Sequence, residues 1–344
     1  MKDVAKHAKV SVATVSNVIT GKQYVSDSVK KTVENSIDVL GYNVNLVARG
    51  LKSKRTFTVG VLLPDITKAF FPDVLKGIED AAIKENYQIN FLSSDYDFEL
   101  EKKYVEQLKS SRVDGIIIDS CCKIEEAKEW ASTLIGNDGS FPVVSLEQVL
   151  NNELISSVGV DNYGLSLLST KYLLDTGHKK VLYISGPLNT LHSVERKNAY
   201  IKALEDSNLD IRNELIYEGD FSASKAYEIM NRVITNNVSF DAILGANDQS
   251  AIGALKALKE SGYKVPEQVA VMGFDNLYPS TLVEPHITTI DVPRYQMGYD
   301  AFKLLKRIIA KPARKPERLL LEANMIIRGS TDITVKSAWN LNGW

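Results

Sequence analysis

Residues 3–33 read DVAKHAKVSVATVSNVITGKQYVSDSVKKTV and predict how the chain begins to fold. Apolar residues recur in this stretch and just beyond it at steps of three and four, which places them on one face of an α-helix. They form three groups, Val4 to Ala8, Ala13 to Ile19 and Val29 to Leu40, so we expect three short amphipathic helices around a small core. Ser11 is a good N-cap for the second helix, because its hydroxyl can accept a hydrogen bond from an amide of the first turn.

A tight turn, Ala8-Lys9-Val10-Ser11, joins the first two helices, an arrangement typical of the helix-turn-helix motif. In that motif the helix after the turn lies in the DNA major groove. The charge distribution agrees, since residues 1–55 carry ten Lys and Arg against four Asp and Glu, while residues 56–344 carry 31 against 39. A small basic module on a larger acidic body predicts that the small module meets a polyanion.

From Thr58 onward, short apolar runs alternate with amphipathic helical segments. The runs are Thr58–Leu63, Gln88–Ser93, Gly115–Ile118, Val181–Ser185, Ala242–Leu244 and Val269–Phe274. This alternation predicts parallel α/β sheets with helices on both faces, and the two sets of runs predict two lobes. Because open parallel sheets bind ligands at the carboxyl ends of their strands, we expect a ligand cleft between the lobes.

The composition excludes several other classes of protein. The longest apolar runs fall far short of the ~18 residues that a membrane span needs, and the N-terminus lacks a secretory signal pattern, so we expect a cytoplasmic protein without membrane contact. The two cysteines, Cys121 and Cys122, are adjacent, and the four histidines lack zinc-binding spacing, so no disulfide framework, metal or cofactor is predicted. No GxGxxG, Walker A, GxSxG or HExxH motif is present, and we do not expect an enzyme.

Ordered matches along nearly the whole chain resemble the LacI/GalR family of bacterial transcription regulators. They comprise residues 3–33 and then LGYNVNLVARGLKSKRTFTVGVLLPDI (40–66), VDGIIID (113–119), VGVDNYG (158–164), TGHKKVLYISGP (176–187), GDFSASKAY (219–227), GANDQSAIGALKAL (245–258), VPEQVAVMGFDN (265–276) and IIRGST (326–331). The resemblance implies an all-α helix-turn-helix head followed by an α/β body of two lobes, similar to type I periplasmic binding proteins, with parallel doubly wound sheets.

The resemblance also implies domain boundaries. Residues 1–44 would form the DNA-binding domain, residues 45–56 a hinge helix or linker, and residues 57–344 the effector-binding and dimerisation domain. Within this last domain, the chain would cross between the two lobes at three connections, near Asp161, Pro293 and Ile326. Lobe 1 would span about 57–160 and 293–325, and lobe 2 about 162–291 and 327–344.

For the head, the resemblance implies a recognition helix from about Val12 to Thr20. Val12, Ala13 and Asn17 would face base edges, while Thr14 and Ser16 would contact phosphates. Asn17 can form two hydrogen bonds with an adenine edge, a contact worth ~1–3 kcal/mol of discrimination. Relatives commonly have Gly or Asn at the position of Lys9 to adopt a positive φ, and a lysine in that conformation costs on the order of 1 kcal/mol.

The hinge of the family resembles the segment around Asn45, Ala48, Arg49 and Leu51, which we expect to contact DNA. Leu51 matches a leucine that enters the minor groove at the centre of the site. Inserting an apolar side chain there unstacks bases at a cost of a few kcal/mol, which the contacts of the bent duplex offset.

Candidate effector residues follow the predicted strands of the body. The resemblance implies that they are Phe70, Phe71, Asp161, His192, Arg196, Phe221, Asn247 and Asp275. Aromatic faces pack on the apolar side of a sugar ring, while charged and amide groups form hydrogen bonds with its hydroxyls. A sugar is therefore the expected effector, and a purine or a phosphoprotein corepressor are the alternatives.

Together these features predict a transcriptional regulator, most simply a repressor, that binds a pseudo-palindromic double-stranded operator as a homodimer. Only thirteen residues follow Thr331, too few for the three or four heptads of a coiled coil, so we expect a dimer and not a tetramer. A stand-alone sugar-binding protein with the same two-lobed body is the remote alternative.

Overall fold

The computed structural model describes residues 1–20, 24–42, 55–136, 139–147, 150, 153–311 and 315–335. The chain forms two compact units, Met1–Phe57 and Thr58–Trp344. The first unit contains the helices α1 (Lys2–His7), α2 (Val12–Thr20) and α3 (Asp27–Val39). The three predicted helices are therefore present, and the turn between α1 and α2 has the predicted length.

The core of the first unit consists mainly of small and β-branched side chains. The fully buried ones are Val4, Ala5, Ala8, Val15 and Val33. Leu40 and Ala13, which the periodicity placed with them, are exposed instead, because α3 ends at Val39 and because Ala13 lies on the outer face of α2.

The turn between α1 and α2 has the predicted local chemistry. The Ser11 hydroxyl accepts a hydrogen bond from the Thr14 amide at 3.0 Å, so it caps α2. Lys9 has a φ of 52°, the left-handed conformation that the turn requires. This conformation costs on the order of 1 kcal/mol for a lysine, and the packing of the helices on either side holds Lys9 in it.

The second unit contains parallel strands that alternate with helices. The strands are β1 (Thr58–Leu63), β2 (Gln88–Ser93), β3 (Ile116–Ile118), β4 (Val143–Leu146), β5 (Ser156–Gly159), β6 (Val181–Ser185), β7 (Ile216–Glu218), β8 (Ala242–Gly245), β9 (Ala270–Met272), β10 (Thr289–Asp291), β11 (Arg318–Leu320) and β12 (Asn324–Ile326). The α-helices are α4 (Phe71–Lys84), α5 (Phe98–Ser110), α6 (Ala127–Ile135), α7 (Asn162–Asp175), α8 (Leu191–Asp206), α9 (Ala223–Thr235), α10 (Asp248–Glu260) and α11 (Arg294–Ala310). Among the described helices, none combines the length and apolarity needed to cross a bilayer.

The strands form two parallel sheets and one short antiparallel pair. The larger sheet has the order β2-β1-β3-β4-β5-β11, and the smaller sheet has the order β7-β6-β8-β9. β10 pairs with β12 in antiparallel fashion. In each parallel sheet the chain reverses its winding direction once, between β1 and β3 in the larger sheet and between β6 and β8 in the smaller one. Such switch points open a crevice at the carboxyl ends of the strands.

The central strands are buried on both faces, which explains why they read as continuous apolar runs. All residues of β3, β4, β6 and β8 are buried. On one face of the larger sheet, α5 and α6 contribute Leu108 and Trp130 to the core. On the other face α11 packs so closely that an added Cβ at Gly115 would meet Leu305 at 2.8 Å.

α4 and α11 pack together through two glycines. A Cβ at Gly77 would lie 2.0 Å from the Tyr295 carbonyl oxygen, and a Cβ at Gly298 would lie 1.9 Å from the Val74 carbonyl oxygen. No real Cβ contact is that short, so the two backbones meet only because both residues are glycine. α4 and α11 therefore behave as one packed pair.

Replacement of Gly298 by alanine separates packing from helix propensity. Propensity alone would stabilise the helix by about 1 kcal/mol, whereas the clash with Val74 should destabilise the protein by about 1–3 kcal/mol. We therefore expect Gly298→Ala to lower the free energy of unfolding in urea. Gln296→Ala, on the exposed face of the same helix, should change it by less than about 0.5 kcal/mol. Stabilisation by Gly298→Ala would contradict the close contact.

Candidate functional site

A cavity of about 420 Å³ lies where the carboxyl ends of both sheets meet. Its wall contains residues within three positions of the ends of the strands at the two switch points. Among them are Asp65 after β1, Asp119, Ser120 and Cys121 after β3, Pro187 after β6, and Asn247 after β8. The cavity therefore occupies the position that the strand topology predicts for a ligand.

The structure brings together seven of the eight predicted effector residues. Phe70, Phe71, His192, Arg196, Phe221, Asn247 and Asp275 all line the cavity. Asp161 does not, because its side chain is exposed and its carboxylate accepts a hydrogen bond from the Gly164 amide at 2.9 Å as the N-cap of α7. The neighbouring Asn162 is buried and holds two cavity residues in place.

The buried guanidinium of Arg196 organises the floor of the cavity. Its Nε donates to Asn162 Oδ1 at 2.9 Å, and its Nη1 donates to the carbonyl oxygen of Ala246. Its Nη2 lies 3.8 Å from Asp275 Oδ1, and its central carbon lies 3.7 Å above the centroid of the Phe274 ring. These partners come from the ends of β8 and β9 and from α7, so one side chain connects three elements of the smaller lobe.

Four acidic residues of the cavity wall were not predicted: Asp65 and Asp220, and the buried Asp119 and Glu147. Glu147 Oε2 accepts a hydrogen bond from Asn162 Nδ2 at 2.9 Å, and burial raises the pKa of Glu147. Burial, together with the charges of Glu147 and Glu101, raises the pKa of Asp119 well above its ordinary value. The signal for Asp119 and Glu147 was available, because each directly follows a buried strand, β3 or β4, as Asn247 nearly does after β8.

Aromatic rings form the apolar part of the wall. The rings of Phe70 and Phe71 meet edge to face with centroids 5.4 Å apart, and His192 stacks on Phe221 at 5.4 Å. Gly186 makes room for Phe221, since a Cβ there would lie 2.0 Å from the ring. A flat apolar surface next to polar side chains is suited to the two faces of a sugar ring.

Four cavity residues have left-handed backbone conformations. The φ angles are 59° for Tyr96, 50° for Glu147, 62° for Phe221 and 99° for Asp275. Asn247 holds Phe221 in place, because its Nδ2 donates to the Phe221 carbonyl at 3.0 Å while its Oδ1 accepts from the Ser250 amide at 2.9 Å. Asn247 thus caps α10 and fixes an aromatic wall residue at the same time.

Burial changes the charge states in the cavity. It lowers the pKa of His192 to about 3, with a further contribution from the nearby charge of Arg196, so the imidazole is neutral at pH 7. Burial also raises the pKa of Asp275 to about 7, although the positive charges of Arg196 and Arg294 act in the opposite direction. Among the described residues, no group of three or more His, Cys, Asp or Glu is arranged to hold a metal ion.

The predicted DNA-contacting residues divide between described and undescribed segments. In α2, Val12 is 43% exposed and Ala13 is exposed, while Thr14, Ser16 and Asn17 are half-buried. The predicted hinge residues Asn45, Ala48, Arg49 and Leu51 lie outside the described residues.

A helix-turn-helix unit in the same chain as a two-lobed α/β body with a central cleft is typical of ligand-responsive transcription regulators. Residues 1–45 match the family model for bacterial regulatory proteins of the lacI family. Residues 56–328 match the model for periplasmic binding proteins and the sugar binding domain of the LacI family. The chain belongs to the LacI family of bacterial transcription regulators, and it is a regulator and not an enzyme.

Individual relatives agree over nearly the full length. The HTH-type transcriptional regulator RegA of Clostridium saccharobutylicum is 34% identical over 332 residues, covering 96% of this chain and 98% of RegA. The lac repressor dimer bound to operator and the anti-inducer ONPF superposes with a TM-score of 0.84 at 26% identity, covering 96% of this chain and 98% of the repressor chain. The complex of the transcriptional regulator CelR with cellobiose gives a TM-score of 0.73 at 27% identity with the same coverage.

The raised pKa of Asp275 predicts a pH-dependent stability. The protonated form is favoured in the folded state, so its contribution is fully present below about pH 4 and is lost as the pH rises through about 7. The free energy of unfolding of Asp275→Asn, relative to that of the wild type, should therefore rise by about 1–4 kcal/mol as the pH increases from 4.5 to 8. Urea unfolding at several pH values measures this difference, and a difference that does not vary with pH would contradict it.

Proposed function

We propose that the protein is a repressor that binds a pseudo-palindromic operator as a homodimer, and that a sugar bound between its two lobes controls this binding. The observation that carries the proposal is the wall of the cavity at the carboxyl ends of the two sheets. It combines aromatic faces with convergent polar side chains in a volume within the usual range of ~300–1,000 Å³ for ligand pockets. The cellobiose complex of CelR, which shares the fold, supports a sugar as the ligand.

The proposed DNA contact rests on the exposed face of α2 and on the basic charge of the first 55 residues. Apolar Val12 and Ala13 can contact a thymine methyl group, while Asn17 can pair with an adenine edge. The family membership and the operator complex of the lac repressor support the same assignment. Phosphate neutralisation by the basic residues should make the affinity fall steeply with salt.

Contacts across the cleft supply a route for coupling. The Ile124 amide, next to the larger sheet, donates to the Asn189 carbonyl at 3.1 Å in the loop after β6. Arg294 at the start of α11 donates to the Asp275 carbonyl and forms an ion pair with Asp73 of α4 at 2.9 Å. A ligand that contacts Asp275 therefore acts on the α4–α11 pair of the other lobe. In such systems the effector and DNA sites are linked reciprocally, commonly by ~1–3 kcal/mol.

Fluorescence anisotropy with labelled DNA tests the proposal. Operators would be selected from a randomised pseudo-palindromic library and then titrated with monosaccharides, disaccharides, sugar phosphates and purines. We expect salt-sensitive, sequence-specific binding by a dimer and a change in affinity of about 5- to 150-fold on addition of one sugar. Absence of DNA binding at low salt would overturn the proposal of a repressor, and a response to a purine alone would overturn the proposal of a sugar effector.

Asn17→Ala tests the proposed base reading. We expect the variant to lose ~1–3 kcal/mol of discrimination at one base pair of each half-site, with little change at the other positions. Asn35→Ala, which removes an exposed asparagine of α3, is the matched control and should leave the preference unchanged. Repeating the selection from the same library gives both base preferences. An unchanged preference in Asn17→Ala would remove Asn17 from the reading surface.

A further inference from the structure

The cavity wall carries more negative than positive side chains. Five acidic side chains share the wall with Lys68 and Arg196, namely Asp65, Asp119, Glu147, Asp220 and Asp275. His192 adds no positive charge, since its pKa is lowered to about 3. The carboxylates already oppose one another, because the charge of Glu147 helps to raise the pKa of both Asp119 and Asp275. An anionic ligand would meet the same repulsion.

Two buried oxygens in this wall have no donor. Glu147 Oε1 and Asp275 Oδ1 accept no hydrogen bond from any described residue, although Glu147 is only 7% exposed and Asp275 only 5%. A buried acceptor needs a donor, and a ligand hydroxyl can provide one. The phosphate or carboxylate group of an anionic sugar has only acceptors, so that group cannot take the place of a hydroxyl at either oxygen.

Most of the donors of Arg196 already have partners within the protein. Its Nε and Nη1 donate to Asn162 and Ala246, its Nη2 is turned toward Asp275, and its face covers the ring of Phe274. Strong recognition of a phosphate or carboxylate by arginine uses two parallel N–H donors. Nε and Nη1 already donate hydrogen bonds, so a bidentate contact would have to combine Nη2 with a nitrogen that already has a partner.

We propose that the effector is a sugar without phosphate or carboxylate groups, and that Glu147 selects it by accepting a hydroxyl and repelling anions. This inference rests on the proposed sugar effector and specifies its chemical class. Glu147 is suited to this role, because one carboxylate oxygen is fixed by Asn162 while the other stays open to the ligand.

Isothermal titration calorimetry with matched sugars tests the charge selection on the full chain. Each neutral hexose is compared with its uronate, which is nearly isosteric, and with its 6-phosphate; cellobiose is included as a disaccharide probe. For the hexose that binds, we expect at least about tenfold weaker binding of both anions at low salt, and a smaller ratio at high salt. Because the uronate hardly differs in size from its hexose, its weaker binding would not be a steric effect.

Glu147→Gln tests the assigned residue. Its amide oxygen can still accept the Asn162 hydrogen bond, while the open oxygen becomes a donor. We expect weaker binding of the neutral hexose and at least a threefold smaller ratio between hexose and uronate. Glu106→Gln, which neutralises an exposed carboxylate of α5, is the matched control and should leave the ratio unchanged.

The outcomes separate the two proposals. A uronate or phosphate that binds as tightly as the neutral hexose would overturn the charge selection and leave the sugar effector standing. An unchanged ratio in a folded Glu147→Gln variant would overturn the role of Glu147. If no compound of the panel binds, the sugar effector itself is overturned, and this inference with it. The comparison of each hexose with its uronate and 6-phosphate on the wild-type protein tests the charge selection even if Glu147→Gln fails to fold.

Discussion

Burial of the Arg196 guanidinium is the constraint on which the cleft depends. A buried charge is tolerated only when its donors are satisfied and a counter-charge is near. The chain meets this demand with the side chain of Asn162, the carbonyl of Ala246, the carboxylate of Asp275 and the ring of Phe274. Each of these groups is thereby held at a fixed place. The interactions that stabilise the buried guanidinium therefore also form the floor of the cavity.

Strand topology brings the remaining wall residues to this floor. Both parallel sheets reverse their winding once, and the loops that leave β1, β3, β6 and β8 therefore diverge around a crevice. On one side of this crevice α4 and α11 approach closely because Gly77 and Gly298 leave room for the backbone of the facing helix, and Arg294 joins that pair to the backbone of Asp275. A ligand in the crevice consequently touches elements that belong to both sheets, which is the geometric requirement for a signal that passes between lobes.

The sequence predicted much of the fold, and its failures have identifiable causes. Strands β1, β2 and β6 have the predicted bounds. β1 and β6 are almost entirely buried, as their continuous apolar runs indicate, whereas β2 is a half-buried edge strand. Strand β5 (Ser156–Gly159) was not predicted, because two of its four residues are serines. The Ser156 hydroxyl accepts a hydrogen bond from the Glu317 amide at 3.0 Å. For the site, Asn247 follows a strand and lines the cavity, whereas the carboxylate of Asp161 caps its own helix and does not reach the cavity. Which carboxylate faces the ligand depends on local capping, and single-sequence patterns do not specify it.

The left-handed conformations of Phe221 and Asp275 set a limit on how far this protein can be stabilised without loss of function. Each costs on the order of 1 kcal/mol, and glycine at either position would relieve that strain. Yet glycine would also delete the ring that stacks on His192 or the carboxylate beside Arg196. Selection for thermal stability and selection for ligand recognition therefore act in opposite directions at these two positions. Efforts to make the protein more robust are better directed at surfaces away from the cleft.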